Sequence, residues 1–145
     1  MGFLDDILGN EKESSPPVEG IGRSANPLEV SMFFTPLRLS ANRANSIELV
    51  VKIKNISAEN QLVSVDLSLP RNCMIGFDPA CINKAAEKQG GEVKPGELVT
   101  LSIPVWANNQ TKPGSYELGL TAYHHYRHYD KVMGSVRKSL VLRVA

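Results

Sequence analysis

Two turn-plus-strand units constrain the fold of this chain more than any other feature. Lys94-Pro95-Gly96-Glu97 precedes Leu98–Trp106, and Lys112-Pro113-Gly114-Ser115-Tyr116 precedes Glu117–Tyr126. Proline presets the first turn dihedral and glycine accepts the left-handed one, so each pair reverses the chain. The run that follows then alternates with a period of two, the signature of a strand with one buried face. The same period recurs elsewhere. Leu28, Val30, Met32 and Phe34 are in phase until Thr35-Pro36 interrupts them, and Leu37-Arg38-Leu39 resumes, as when a first strand switches sheets at a proline. Ile47, Leu49, Val51 and Ile53 alternate with Glu48, Lys52 and Lys54 in the cleanest strand of the chain. Val63, Val65, Leu67 and Leu69 alternate with Ser64, Asp66 and Ser68, and Pro70 ends the run.

Later segments follow suit. Val99, Leu101, Ile103 and Val105 are expected inward, then Tyr116, Leu118, Leu120 and Ala122, then Leu140, Leu142 and Val144. Pro70–Gly91 is weakly patterned, with a helical turn expected over Pro79–Glu87 and a reset at Gly90-Gly91. No run has the length and period of a crossover helix, which argues against a parallel sheet. The pattern predicts an all-β, immunoglobulin-like antiparallel β-sandwich of about seven strands. Tyr116, directly after a Pro-Gly turn at the start of a late strand, is expected to pack its ring inward and return its hydroxyl to nearby backbone.

Residues 1–25 read differently. Phe3, Leu4, Ile7 and Leu8 would form one apolar stripe of a short amphipathic helix ending at Gly9-Asn10. Two turns are too few to hold a helix alone in water, so the stripe is expected to dock on a partner or on itself. A peripheral membrane contact by residues 1–9 is a further use for it. The stretch from Asn10 to Pro27, rich in Glu, Ser, Pro and Gly, has linker composition. The domain division expected is therefore 1–25, helix and flexible linker, and 26–145, the sandwich.

Charge is unevenly spread although the net is only +1. Residues 1–29 set six acids against Lys12 and Arg23, while 112–145 set six bases against Glu117 and Asp130. Met1 to Gly9 is acidic where a secretory signal is basic, and Met1-Gly2 lacks the Ser or Thr at position 6 of a myristoylation motif. The cytoplasm is the expected location. Cys73 and Cys81 make neither a disulfide framework nor a CxxC metal pair, and free thiols are the expectation.

Several segments also resemble a known family. Asn26–Ala44, Ile47–Ser57 with its Lys54-Asn55-Ile56-Ser57 ending, Leu67-Ser68-Leu69-Pro70, Lys94-Pro95-Gly96-Glu97 and Pro113-Gly114-Ser115-Tyr116-Glu117 resemble the immunoglobulin-like CARDB modules. CARDB stands for cell-adhesion-related domain of bacteria and archaea. The related domains attached to α-galactosidases are similar as well. The resemblance spans about residues 26–145 and implies the sandwich fold, with no shared catalytic residues. Its members are usually extracellular and one module among several.

Chemistry is concentrated in Tyr123-His124-His125-Tyr126-Arg127-His128-Tyr129-Asp130-Lys131, which holds all three histidines and three of the four tyrosines. Tyr and Arg supply large, fairly rigid contact area with a polar end, the composition of binding hot spots. Tyr123, His125, Tyr126, Arg127, His128, Tyr129 and Lys131 are thus the candidate contact residues, with Phe3, Leu4, Ile7 and Leu8 as a second contact. A rival reading makes the tip a Zn²⁺ or Ni²⁺ site or metal-dependent enzyme, with His124, His125, His128, Asp130 and Cys81 as its groups. Against it, adjacent histidines on a strand point to opposite faces. A third reading is a carbohydrate- or envelope-associated module. A pI near 7.8 is a weak footprint for nucleic acid, so none is expected. Trp106, on the outward parity of its strand, either covers an edge or contributes to an interface. Ser64, Asp66 and Ser68 read as a solvated face, and no nucleophile elbow, phosphate loop or dinucleotide turn is present. The expectation is a non-enzymatic interaction or scaffold module without cofactor, binding a protein partner or itself.

Overall fold

The computed structural model describes residues Asn26–Ala145; the helix and linker expected over 1–25, with Phe3, Leu4, Ile7 and Leu8, lie outside the described residues. Nine strands follow in order: β1 (Leu28–Thr35), β2 (Arg38–Leu39), β3 (Asn45–Asn55), β4 (Gln61–Ser68), β5 (Ile75–Gly76), β6 (Ala85–Val93), β7 (Leu98–Ala107), β8 (Gly114–His125) and β9 (Val132–Val144). They form a four-stranded sheet, β1-β3-β7-β5, and a five-stranded sheet, β2-β9-β8-β4-β6. The fold is an immunoglobulin-like β-sandwich, as the alternation predicts. Seven of the strands are long, and β2 and β5 have two residues each.

The apolar phases point where their period requires. Val30, Phe34, Leu49, Val51, Ile53, Val63, Val65, Leu67, Ile103, Val105, Leu118, Leu120, Leu142 and Val144 are all buried in one core between the sheets. Val99, Leu101, Tyr116 and Leu140 pack on its margin. Full burial of a Leu or Val stabilises by about 1.5–3 kcal/mol relative to leaving it in water, so the alternation itself selects the register.

Three local expectations need correction or refinement. The chain crosses between sheets at Thr35-Pro36, as expected, but β2 then pairs with β9 in parallel, Arg38 opposite Arg143 and Leu39 opposite Val144. One strand continuing in one direction alongside both sheets cannot be antiparallel to every neighbour. The helical turn expected over Pro79–Glu87 is absent. Asp78 instead caps a tight turn, its Oδ1 accepting from the N–H of Ile82 (2.9 Å) and Asn83 (2.8 Å). The chain then extends as β6, antiparallel to β4. Glu87, Lys88 and Gln89 face water on this edge strand, so β6 shows no apolar period to read. Finally, Gly90-Gly91 does not reset the chain. It forms a bulge inside β6, Val63 pairing with Gly91 and Ser64 with Gln89. A Cβ on Gly90 would come within 2.6 Å of the Val63 side chain, so the bulged strand needs glycine there.

Two buried polar residues hold the sandwich ends. Asn55 continues the inward parity of β3 and is fully buried. Its Nδ2 donates to the carbonyls of Glu59 (2.7 Å) and Val93 (2.8 Å), and its Oδ1 accepts from the Ser57 N–H (2.9 Å) and hydroxyl (2.6 Å). At the opposite end Thr111, also fully buried, accepts the Asn108 N–H at 2.8 Å and donates to the Met74 carbonyl. Both head or close N-x-S/T triplets, and both side chains are committed to the fold. Tyr116 behaves as expected, its hydroxyl donating to the Lys112 carbonyl at 2.8 Å.

The irregular segment between β4 and β6 is tied from within. Lys84 Nζ donates to the carbonyls of Cys73 (2.7 Å), Cys81 (2.8 Å) and Ile75. Cys73 and Cys81 are free thiols.

Candidate functional site

The β8–β9 hairpin carries the cluster that the sequence singles out. β8 pairs along its whole length with β9, and the register slips between His124 and His125, which leaves Met133 as the extra residue on β9. The extra residue lies on β9, so β8 keeps its alternation and the two histidines face opposite sides. His124, still on the inward parity of Leu118, Leu120 and Ala122, lies opposite Gly134, where its imidazole fills the space a side chain would need: a Cβ there would be 2.5 Å from Nε2. His125 turns to the outer face. Its Nε2 and the Ser64 hydroxyl share a hydrogen bond of 2.7 Å, and its ring meets Tyr129 edge-on at 5.2 Å between centroids, with Tyr123 at 6.1 Å. It is only 6% exposed.

These contacts divide the candidate contact residues into two groups. Tyr123, His125 and Tyr129 are partly or fully buried and pack on one another. The Tyr129 hydroxyl accepts the Gly91 N–H at 3.0 Å, which fastens the hairpin end to the bulge of β6. Burial and the neighbouring Asp66 carboxylate push the Tyr123 hydroxyl up from its usual pKa, so it stays neutral. Tyr126, Arg127, His128 and Lys131 are exposed at the tip. The tip is closed by its own main chain: Tyr126 N–H donates to the Lys131 carbonyl (2.8 Å), His128 N–H to Tyr126 (2.7 Å) and Lys131 N–H to His128 (3.0 Å). Arg127 takes a left-handed φ of 67° and lays its guanidinium over the Tyr126 ring, 5.0 Å from the centroid. This stacking orients both side chains.

Sequence reasoning missed two neighbours. Val132 and Met133 are 55% and 61% exposed beside Tyr126, which is 50% exposed. Their signal was an apolar pair directly after Lys131, at the point where an outward phase should turn polar. Tyr126, Arg127 and Met133 border a cleft of about 450 Å³ whose other wall is Glu59, Leu62 and Glu92, so the tip, the β3–β4 loop and the end of β6 converge there.

A metal centre is not assembled. Among the described residues no three His, Cys, Asp or Glu side chains gather to hold an ion. His124 and His125 face opposite sides, and Cys81 lies in the β5–β6 connection with its Sγ donating to the Trp106 carbonyl at 3.3 Å. Burial pushes the Cys81 thiol above its usual pKa, which lowers its nucleophilicity at neutral pH. Burial, and then the neighbouring His125, lower the pKa of His124, so it is neutral at pH 7. The Nδ1 atoms of both histidines are buried without a hydrogen-bond partner among the described residues.

Comparison with known proteins extends to fold. No family model matches the chain, and no curated protein sequence matches it. Solved structures do. The structure of Escherichia coli alpha-2-macroglobulin from domain MG7 to the C-terminus is 21% identical over 86% of this chain and 17% of its own, with a TM-score of 0.60. Salmonella alpha-2-macroglobulin mutant Y1175G is 18% identical over 83% of this chain and 7% of its own, at 0.56. The FixG-related protein of Vibrio parahaemolyticus is 11% identical over 83% and 98%, at 0.52. This chain thus spans a small part of the macroglobulins it matches. At these identities the likeness is one of fold. Among the described residues no helix is long and apolar enough to cross a membrane.

Proposed function

We propose that this sandwich is a non-enzymatic interaction or scaffold module of the CARDB-like kind, which binds a protein partner through the tip of the β8–β9 hairpin. One observation carries the reading. The turn from Tyr126 to Lys131 is fixed by three main-chain hydrogen bonds, so the side chains of Tyr126 and Arg127 stand exposed and make none of the bonds that close it. Side chains already ordered by mutual stacking lose little entropy on binding, and aromatic and arginine anchors supply most interface energy. Met133 and Val132 extend the contact, and Glu59 and Glu92 across the cleft give it a second sign of charge. In this reading Phe3, Leu4, Ile7 and Leu8 provide the second contact. The cytoplasm is the proposed compartment, in keeping with two free thiols.

The test is capture of a partner by the full chain and by a Tyr126→Ala, Arg127→Ala variant. Capture should fall at least tenfold while the melting temperature stays unchanged. Equal capture by the two proteins would show that the tip is not the contact.

A further inference from the structure

The five-stranded sheet ends on a strand that is paired along one side only. β8 covers the inner side of β9 from Val132 to Val144, whereas β2 meets its outer side at Arg143 and Val144 alone. Among the described residues the outer main chain of Val132–Leu142 therefore has no paired strand. β1 of the other sheet lies close to β9 without pairing with it, and Asn26, just before β1, donates its Nδ2 to the Ser135 carbonyl at 3.3 Å. Exposed edges are templates for another strand unless something blunts them. The opposite edge, β6, is blunted by the bulge at Gly90. β9 has its only irregularity at the tip, and no proline from Val132 to Val144.

β9 itself carries charge of one sign, although Asp66 and Glu117 on neighbouring strands share a cleft with Arg137 and Lys138. Arg137, Lys138 and Arg143 are exposed on β9, which has no acid, and the turn adds Arg127 and Lys131 against the single acid Asp130. Arg137 and Lys138 are consecutive, so they flank the edge from opposite faces of the sheet. Val132, Met133 and Val141 are exposed at either end of the basic stretch.

We propose that the outer edge of β9 between Met133 and Leu142 receives an extended acidic segment of a partner protein, which adds as a further strand of the five-stranded sheet. Main-chain hydrogen bonds supply the affinity of such strand addition, and alternate side chains supply its selectivity. Carboxylates on successive residues of the incoming strand would meet Arg137 on one face and Lys138 on the other, with apolar residues over Val141 and Met133. A second copy is the poorer occupant. Two-fold antiparallel pairing about the middle of β9 would bring Arg137 and Lys138 of both chains together, and like charges directly opposed are destabilising. The proposal goes beyond the tip contact, because it uses the main chain of β9 and does not require Tyr126.

The test uses the full chain and three synthetic ten-residue peptides: alternating Val and Glu, alternating Val and Lys, and the Glu peptide with a central proline. The Glu peptide should slow hydrogen exchange of those amides of Met133–Leu142 that point away from β8. It should bind at least tenfold more weakly to Arg137→Glu, Lys138→Glu, or to the milder Arg137→Gln, Lys138→Gln pair should the first not fold, and equally well to Tyr126→Ala. The Lys and proline peptides should not protect β9. Equal protection by the Glu and Lys peptides, or none by the Glu peptide, overturns the proposal. So does protection of these outward amides in the free full chain, where sedimentation at two concentrations separates a second copy from occupation by the chain's own residues 1–25. Equal capture by the full chain and its Tyr126→Ala, Arg127→Ala variant, with β9 protection retained, would break the tip reading alone.

Discussion

The turn from Tyr126 to Lys131 and the connection from Leu69 to Lys84 are both irregular and both closed by three main-chain hydrogen bonds, and they differ in what their side chains do. In the turn, main chain bonds main chain, and Tyr126, Arg127, His128 and Lys131 are left exposed. In the connection, side chains add to the main-chain bonds: Lys84 serves three carbonyls, Asp78 two N–H groups, and Thr111 reaches across to Met74. A side chain committed to its own loop has little left to offer a partner. The difference points to the hairpin as the place for recognition and to the connection as scaffold.

The contrast can be broken by experiment, and the largest expected effect is in the connection. Lys84→Met keeps most of the aliphatic stem and removes all three charge-assisted hydrogen bonds, so unfolding in urea should show a loss of about 2–4 kcal/mol. A change under 0.5 kcal/mol would mean that the connection is held some other way. The next effect concerns pH at the base of the hairpin. His124 has a folded pKa below its unfolded value of 6.5. The unfolded chain therefore takes up the proton first, so stability is full above that value and declines as pH falls from about 7 toward the lowered folded pKa. The urea midpoint should drop over this range in the wild type and drop less in His124→Leu; identical slopes would exclude the buried imidazole as the cause. The smallest effects separate the tyrosines of the hairpin. Tyr129→Phe deletes the acceptor of the Gly91 N–H and should cost about 1 kcal/mol, while Tyr126→Ala should stay within about 0.5 kcal/mol. Equal costs would mean that Tyr126 is also part of the scaffold.

Much of the sandwich was legible because burying one face writes a two-residue period into the sequence. Ile47 to Ile53 and Val63 to Leu67 are inward as read, and the break at Thr35-Pro36 does mark a change of sheet. β6 was not legible, because an edge strand with both faces near water needs no apolar phase. Asn55 could have been found: it extends the parity of Ile47, Leu49, Val51 and Ile53, and a polar residue in that phase must have partners. The site was harder. Composition located the cluster at 123–131 and alternation set His124 and His125 on opposite faces, but the packing of Tyr129 on His125 and on the bulge of β6 joins segments far apart in the chain, and nothing in the residue order announces it. Tyr129 reads like Tyr126 in sequence. Its packing on His125 and the Gly91 N–H at the end of its hydroxyl tell them apart.

The parallel pairing of β2 with β9 has a mechanical consequence. Ala41 and Ala145 exchange hydrogen bonds with the strand ends here, Ala41 N–H to the Ala145 carbonyl and Ala145 N–H to the Leu39 carbonyl, both 3.0 Å. Because the two strands run the same way, tension applied at Asn26 and at Ala145 shears them lengthwise instead of peeling them open. Both bonds must then rupture at once, so a load carried end to end along the chain meets its resistance at this short clasp.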